Sequence, residues 1–253
     1  MTDGWQKIDR IARRLKRYAG YWPSDEEVVR AIRSVPCHYT GIARDTSVNG
    51  GLVNPGTSLT WSHTCTGSNL ILFASAFGDF SDVITGATYA GVSMTLVGKV
   101  KGGNDRWCYL FVLVGPSSGA NNVVVSASSS VAIDGQSASY TGALQSGQPD
   151  SSNTKGQNTT SFTISTTVVA SNCWLIGAFR DGSATAGAGA NQLQGSNGLF
   201  TADSNGTVPT GSQSMTYTNG SGADFGGVLA SFAPAAGGGG TPSHLLSSLG
   251  VGA

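Results

Sequence analysis

The chain has 253 residues, only 11% of them charged, with 37 glycines and a formal net charge of zero. That profile is unusual for a cytosolic enzyme and common among Ser/Thr/Gly-rich β proteins, and no stretch approaches the ~18 consecutive apolar residues that a membrane helix needs. The zero hides an asymmetry: nine of the fourteen Lys and Arg, and both glutamates, Glu26 and Glu27, lie within residues 1–45, so a charged head precedes a nearly uncharged body. The length suits one large all-β domain with extensions, or two small domains.

Residues 5–19 are predicted to form an amphipathic helix. Trp5, Ile8, Ile11, Ala12, Leu15 and Tyr18 recur at steps of three and four, with Lys and Arg on the other sides and Gly20 as a stop. Ser24 then caps a second helix, with Glu27 three residues on completing a capping box and Pro36 ending it. Two short amphipathic helices cannot hide their stripes alone. Trp5, Ile8, Ile11, Leu15, Tyr18 and Trp22 are therefore expected to dock on a partner, the alternative being a solvated basic face on a small helical hairpin. No nucleic-acid motif accompanies the charges, and the acidic second helix offsets part of them, so a nucleic-acid partner is not expected. Charges throughout residues 2–20 leave no apolar segment for a signal peptide, and synthesis in a cytoplasm is expected.

Residues 37–56 read as a linker or extended arm, and residues 57–234 as the body. Within the body a segment repeats without a gap: Thr57–Leu72 and Thr160–Leu175 agree at eight of sixteen positions, from Thr57/Thr160 to Leu72/Leu175. In each copy Ser and Thr alternate with larger side chains (Leu59, Trp61, His63, Cys65; Phe162, Ile164, Thr166, Val168), as a strand with one wet and one buried face requires. A Ser-Asn turn and a nearly continuous apolar run follow, as suits a strand covered on both faces. The pair reads as two equivalent hairpins in the halves of one β-sandwich. Residues 106–114 predict a central strand, with Trp107, Tyr109, Phe111 and Leu113 on one side and Cys108, Leu110, Val112 and Val114 on the other. Strands are also expected at 122–128, 136–141, 214–218 and 225–232, with 145–159 a polar connection and 181–198 a meandering edge loop. Residues 235–253 give a glycine spacer and an apolar tail in which Leu245, Leu246 and Leu249 either dock into a neighbour or stay free.

Chemistry is sparse. The body has no Glu, the three histidines share no metal spacing, and no nucleophile elbow occurs, so no catalytic residue, metal site or cofactor is expected. Asp79 with Asp82, and Asp203 with Asn205, are loop pairs that turn formation explains better than calcium. The four cysteines lie far apart and are expected as free thiols. Most aromatics fall in strand patterns. Tyr89 and Tyr217, near turns, remain as exposed candidates for contact with a glycan.

Three segments, Thr160–Ser165 with Ser171–Gly177, Thr88–Val97 and Gly227–Pro234, resemble a recurrent Ser/Thr/Gly-rich β-sandwich domain of bacteriophage virion accessory proteins. The resemblance covers 57–234 and contains no catalytic motif. It implies an all-β, antiparallel two-sheet sandwich of jelly-roll-like type, here preceded by a short N-terminal helical hairpin. It also implies a non-enzymatic role in the virion, as capsid decoration, head fibre or tail appendage. The expected partners are other capsid or tail proteins and further copies of the chain. A glycan-binding adhesion module is the second reading, with a host-surface glycan as partner, and a carbohydrate-active enzyme the third.

Overall fold

A computed structural model describes residues 41–79, 81–102, 106–181 and 184–235. The two expected helices, with Trp5, Ile8, Ile11, Leu15, Tyr18 and Trp22, and the tail with Leu245, Leu246 and Leu249, lie outside the described residues. Every described element is a strand: β1 (Ala43–Cys65), β2 (Ile71–Gly78), β3 (Ile84–Tyr89), β4 (Val92–Ser93), β5 (Thr95–Lys101), β6 (Trp107–Val114), β7 (Gly119–Thr141), β8 (Ser151–Val168), β9 (Trp174–Arg180), β10 (Thr185–Ala186), β11 (Asn191–Ser196), β12 (Leu199–Asp203) and β13 (Gly211–Phe232). They form two antiparallel sheets. One holds β1 to β7 in the order β4-β3-β7-β2-β6-β5, with β1 along the other flank of β7; the second holds β8 to β13 in the order β10-β13-β9-β12-β11, with β8 beside β13.

Each sheet is built on one long two-stranded ribbon. β1 pairs with β7 from Ala43↔Thr141 to Cys65↔Gly119, and β8 pairs with β13 from Ser151↔Ser231 to Val168↔Gly211. Neither ribbon is straight. In the first, the register shifts at Val53, Gly56 and Ser58, around the cis peptide Asn54-Pro55, where proline offers no amide to the ladder. In the second it shifts between Thr218 and Ala223. The bend lays the far half of the ribbon over the near half, so each sheet encloses a core of its own. Trp61, in the second half of β1, packs against Gly50 in the first half of the same strand.

Several expected boundaries are corrected here. Residues 43–56 are the first half of β1, not a linker, and 151–159 are the first half of β8, not a connection. Residues 122–128 and 136–141 belong to one strand, as do 214–218 and 225–232, and β10 and β11 occupy much of the stretch expected as an edge loop. Glycine and polar residues suggested loops. In a ribbon whose partner strand supplies the hydrogen bonds, apolar alternation is not required on a half that faces water.

The predicted repeat takes equivalent places in the two sheets. Leu59, Trp61, His63 and Cys65 are buried at the end of β1, as are Phe162, Ile164, Thr166 and Val168 at the end of β8. Asn69 and Asn172 both turn the chain in the left-handed region, at φ 51° and 59°, which asparagine tolerates better than most residues. The apolar runs that follow are covered on both faces. Leu70, Leu72, Ala74 and Ala76 enter the first sheet's own core, while Ile71, Phe73 and Phe77 enter a shared core with Trp174, Ile176 and Ala178 of β9. Cys173, Leu175 and Phe179 serve the second sheet's own core. β6 divides as its sequence predicts, with Tyr109 and Phe111 inward and Cys108, Leu110 and Val112 in the shared layer. At the centre of that layer Tyr140 of β7 meets Phe232, its counterpart on β13, with ring centroids 4.9 Å apart; Phe73 and Trp174 complete the cluster at 5.2 and 5.7 Å. Each such buried large side chain contributes about 1.5–3 kcal/mol relative to exposure.

Candidate functional site

The polar groups of the body fall into three sets. Two hold the fold closed, and the third is its outer surface.

The first set is a clamp that occurs once in each half. Asp45, at the start of β1, accepts the backbone amide of Thr66 at 2.9 Å, the hydroxyl of Thr66, and the hydroxyl of Ser139 at 2.7 Å. Asp150, just before β8, accepts the amides of Val169 and Ala170 at 2.8 and 3.2 Å and the hydroxyl of Ser231 at 3.0 Å. Thr66 and Val169 are aligned in the repeat, and Ser139 and Ser231 hold matching positions on β7 and β13. In both halves a carboxylate at the ribbon's start ties down the turn after its bend. Burial pushes the Asp45 carboxyl up, but the bonds from Thr66 and Ser139 outweigh it and hold it below the usual range.

In the first half the clamp extends inward. His63, 1% exposed, places Nε2 at 2.9 Å from Ser139 Oγ and Nδ1 at 2.8 Å from Ser137 Oγ, and Trp61 Nε1 donates to Ser137 Oγ at 2.9 Å. With the Nε2–H tautomer, assigned from this pattern, the bonds run in one direction on each side of the ring and satisfy every group. Burial drives the imidazole down to about 4. A nucleophile triad needs a histidine between carboxylate and hydroxyl. Here the serine stands between Asp45 and His63, and the matching position in the second half is Thr166, bonded to Ser151 at 2.9 Å. The chain of bonds holds structure.

The second set joins the sheets. Arg44 forks onto Asp203 at 2.9 and 2.8 Å, and Tyr140 donates to the same carboxylate at 3.0 Å. The Arg44 bond to Asp203 holds the guanidinium above its ordinary value, and burial first, then Asp203, pushes the Tyr140 phenol well up. Asp134 accepts Ser196 at 2.9 Å and Asn197 at 2.9 Å; Gln136 donates to Leu199 O at 2.9 Å and accepts from Thr201 at 2.8 Å. Arg180 is buried over the Phe77 ring at 4.2 Å and donates to Gly198 O at 3.1 Å; burial, then Arg106, lowers it to about 10. Arg106 Nε stands 3.2 Å from Asp79 Oδ1, an ion pair not aligned as a hydrogen bond.

These contacts place the sequence candidates. Tyr89 and Tyr217 are fully buried, not exposed at turns. Tyr89 donates to Gly119 O at 2.9 Å, and Tyr217 packs on Phe179 with centroids 4.4 Å apart. Neither can touch a glycan, and the turn signals beside them concealed side chains that point inward. Both candidate calcium pairs are taken up by protein groups: Asp82 is bonded to Lys99 and Tyr109 with Asp79 beside Arg106, and Asp203 and Asn205 both accept from Arg44. Cys65, Cys108 and Cys173 are free and buried. Among the described residues no cluster of three His, Cys, Asp or Glu is placed for a metal ion, and no helix is long and apolar enough to cross a membrane. Sequence reasoning missed Asp45 and Asp150, whose only signal was an aspartate some way before each repeat, 21 residues ahead of Thr66 in one half and 19 ahead of Val169 in the other.

The third set is the surface of the far half-ribbons. Ser161, Thr163, Ser165 and Thr167 on β8 stand opposite Thr218, Thr216, Ser214 and Ser212 on β13, and none of the eight is buried. Thr163 and Thr216 hydroxyls meet at 2.9 Å. Side chains in such a pair of strands repeat at roughly 4.8 Å across and 6.8 Å along. On β1 the exposed positions Ser58, Thr60, Ser62 and Thr64 make the corresponding row. No family model, curated protein or solved structure matches the chain.

Proposed function

We propose that the chain is a non-enzymatic structural protein of a virion, of the capsid-decoration, head-fibre or tail-appendage type. Residues 1–36 attach it to other capsid or tail proteins, and the sandwich, jelly-roll-like in this reading, is displayed outward. One observation carries the proposal: the bonded polar groups serve closure of the fold, with the half-buried Asp45 and Asp150 clamps repeated at equivalent places, while the far half-ribbons offer water an uncharged surface of hydroxyls. Such a division suits a protein whose work is to be a stable body with contact surfaces. The glycan-binding alternative rested on Tyr89 and Tyr217, and their burial removes both contacts.

The test is deletion of residues 2–36 and measurement of incorporation into native particles. Loss of incorporation, with the thermal unfolding of the body retained, is the expected result. Normal incorporation of the truncated chain would defeat the anchoring role.

A further inference from the structure

The two ribbons present equivalent outer edges, and the chain treats those edges differently. Antiparallel alternation fixes which backbone groups face outward. In the first sheet, Ser126 O accepts the Thr85 hydroxyl at 3.1 Å and Asn122 O accepts the Ala90 amide at 3.1 Å, so both carbonyls point toward β3 and away from β1. Their partners on β1 are Ser58 and Ser62, and the register is unbroken from Ser58 to Cys65. The N–H and C=O groups of Ser58, Thr60, Ser62 and Thr64 therefore point away from β7. The same parity holds on β8, where Ser161, Thr163 and Ser165 face outward.

On β8 that edge is closed from within. Lys155 Nζ donates to Thr163 O at 2.8 Å, Asn153 Nδ2 donates to Ser165 O at 2.8 Å, and the Thr159 hydroxyl donates to Ser161 O at 3.0 Å. Lysine and local side-chain bonds of this kind are how sheets blunt an edge. On β1 the matching places are held by residues without donors. Asn153 faces Leu229 and Lys155 faces Gly227 across the second ribbon; across the first, Val48 faces Ser137 and Gly51 faces Gly135, the equivalent positions on β7. β11 covers the first half of β1, through Gln194 to Ser47 at 3.1 Å and Ser196 to Asn49 at 3.2 Å. The second half has β7 on one flank and, among the described residues, no hydrogen-bonded strand on the other. Leu52 lies 43% exposed on the same strand.

We propose that the open edge of β1, Ser58–Cys65, pairs antiparallel with the same edge of a second copy, joining two seven-stranded sheets across a two-fold axis. The occupant follows from the edge's own chemistry. A strand that pairs antiparallel with its own copy about a two-fold axis puts residue i opposite residue j and j opposite i, so a charge near the axis is set beside its own image. This edge carries no charge, no proline and no bulge from Ser58 to Cys65, and its exposed side chains are four small hydroxyls. A second copy therefore meets neither a repelling charge nor a blocked carbonyl. The β8 edge, with Lys155 lying across it, would set two ammonium groups together. The proposal deepens the assembly reading above by naming the surface between copies, and it does not depend on residues 1–36.

The experiment is the mass in solution of the full-length chain across a dilution series, by light scattering, for wild type, the double variant Thr60→Lys/Ser62→Lys, and Thr163→Lys/Ser165→Lys at the matching β8 positions. None of the four side chains is buried, so far-UV circular dichroism and melting curves should stay close to wild type. The expected result is an even-numbered wild-type assembly that halves in mass in the β1 variant and keeps its mass in the β8 variant. A monomeric wild type, an unchanged mass in the β1 variant, or halving in the β8 variant overturns the proposal. Anchoring is read separately: a chain that pairs through β1 yet enters particles without residues 2–36 keeps this inference and sinks the anchoring role.

Discussion

Trp61 stands directly on Gly135: a Cβ built at Gly135 would fall 2.6 Å from both Cη2 and Cζ3 of the indole. The matching glycine in the second half, Gly227, lies under Phe162, the repeat counterpart of Leu59, and a Cβ there would fall 2.7 Å from Cε1. In both ribbons the bend brings a large ring down on the backbone of the partner strand, and only glycine leaves room for it. Substituting Gly135→Ala or Gly227→Ala should cost about 1–3 kcal/mol through overpacking. At roughly 2–4 °C per kcal/mol for a domain of this size, the melting temperature falls visibly. Gly86, whose Cβ would meet nothing within 4 Å, is the control, and Gly86→Ala should stay within about 0.5 kcal/mol. Equal melting temperatures for all three variants would remove the bend from the argument.

The two aspartate clamps predict a matched pair of losses. Asp45→Asn and Asp150→Asn each weaken the hold on backbone amides at the turn after a bend, with one serine contact as well. Charge-assisted bonds of this type are worth about 1.5–3 kcal/mol, so each variant should lose about that much in urea titration. The clamps share no partner, and the double variant should equal the sum within about 0.5 kcal/mol. A large coupling term would mean that the halves do not close independently.

What the sequence made legible followed from contrast between neighbouring residues. The alternation of Leu59, Trp61, His63 and Cys65 with Ser and Thr marked the buried face of β1, and the nearly continuous apolar run from Leu70 to Ala76 marked a strand between two cores. The repeat exposed the internal symmetry. Illegible were the halves of the ribbons that lack contrast. Gly50, Gly51 and Pro55 read as linker, although Gly50 is there because Trp61 packs on it. Ser151 to Thr159 is polar along its length because β13 supplies its hydrogen bonds and water covers much of it. The clamps were invisible for a different reason: Asp45 lies 21 residues from Thr66 and 94 from Ser139, and no local pattern joins them. Tyr89 and Tyr217 were misplaced because proximity to a turn says nothing about which way a side chain points.

His63 predicts how stability responds to acid. Burial lowers its folded-state value from 6.5 to about 4. The neutral ring is therefore favoured by folding, and its contribution is complete above pH 6.5, where the unfolded chain also holds a neutral imidazole. As pH falls through 6.5 the unfolded state gains a proton that the folded state refuses, and stability declines until about pH 4. A difference of this size amounts to about 3 kcal/mol across that window. His63→Thr, which copies the residue at the matching position in β8, should flatten the decline between pH 6.5 and 4 while lowering stability at neutral pH. The Asp45 carboxyl, held below its usual range, acts at lower pH; the Asp134 carboxyl, which burial raises, runs opposite to the histidine at the acid end of the window, so the difference between wild type and His63→Thr reads the histidine's share. Denaturant titrations at several pH values check the slope, and an unchanged slope in His63→Thr would assign it elsewhere.

Two buried tyrosines should respond in opposite directions to loss of a hydroxyl. Tyr140 donates to Asp203 at 3.0 Å, inside the cluster that Arg44 completes, so Tyr140→Phe strips a bond from a buried carboxylate. The expected cost is about 1–3 kcal/mol. Tyr217 is as deeply buried, packed among Phe179, Phe200 and Met215, but among the described residues its hydroxyl has no hydrogen-bond partner. Burial alone pushes that phenol up. Tyr217→Phe removes a polar atom that the folded state desolvates without compensation, and should leave stability unchanged or raise it by about 1–2 kcal/mol. The comparison isolates the hydroxyl, because both substitutions keep the ring and both rings lie in aromatic clusters. Thermal unfolding of the two variants side by side decides it, and a Tyr217→Phe variant that melts below wild type by as much as Tyr140→Phe would show that the Tyr217 hydroxyl is satisfied in solution.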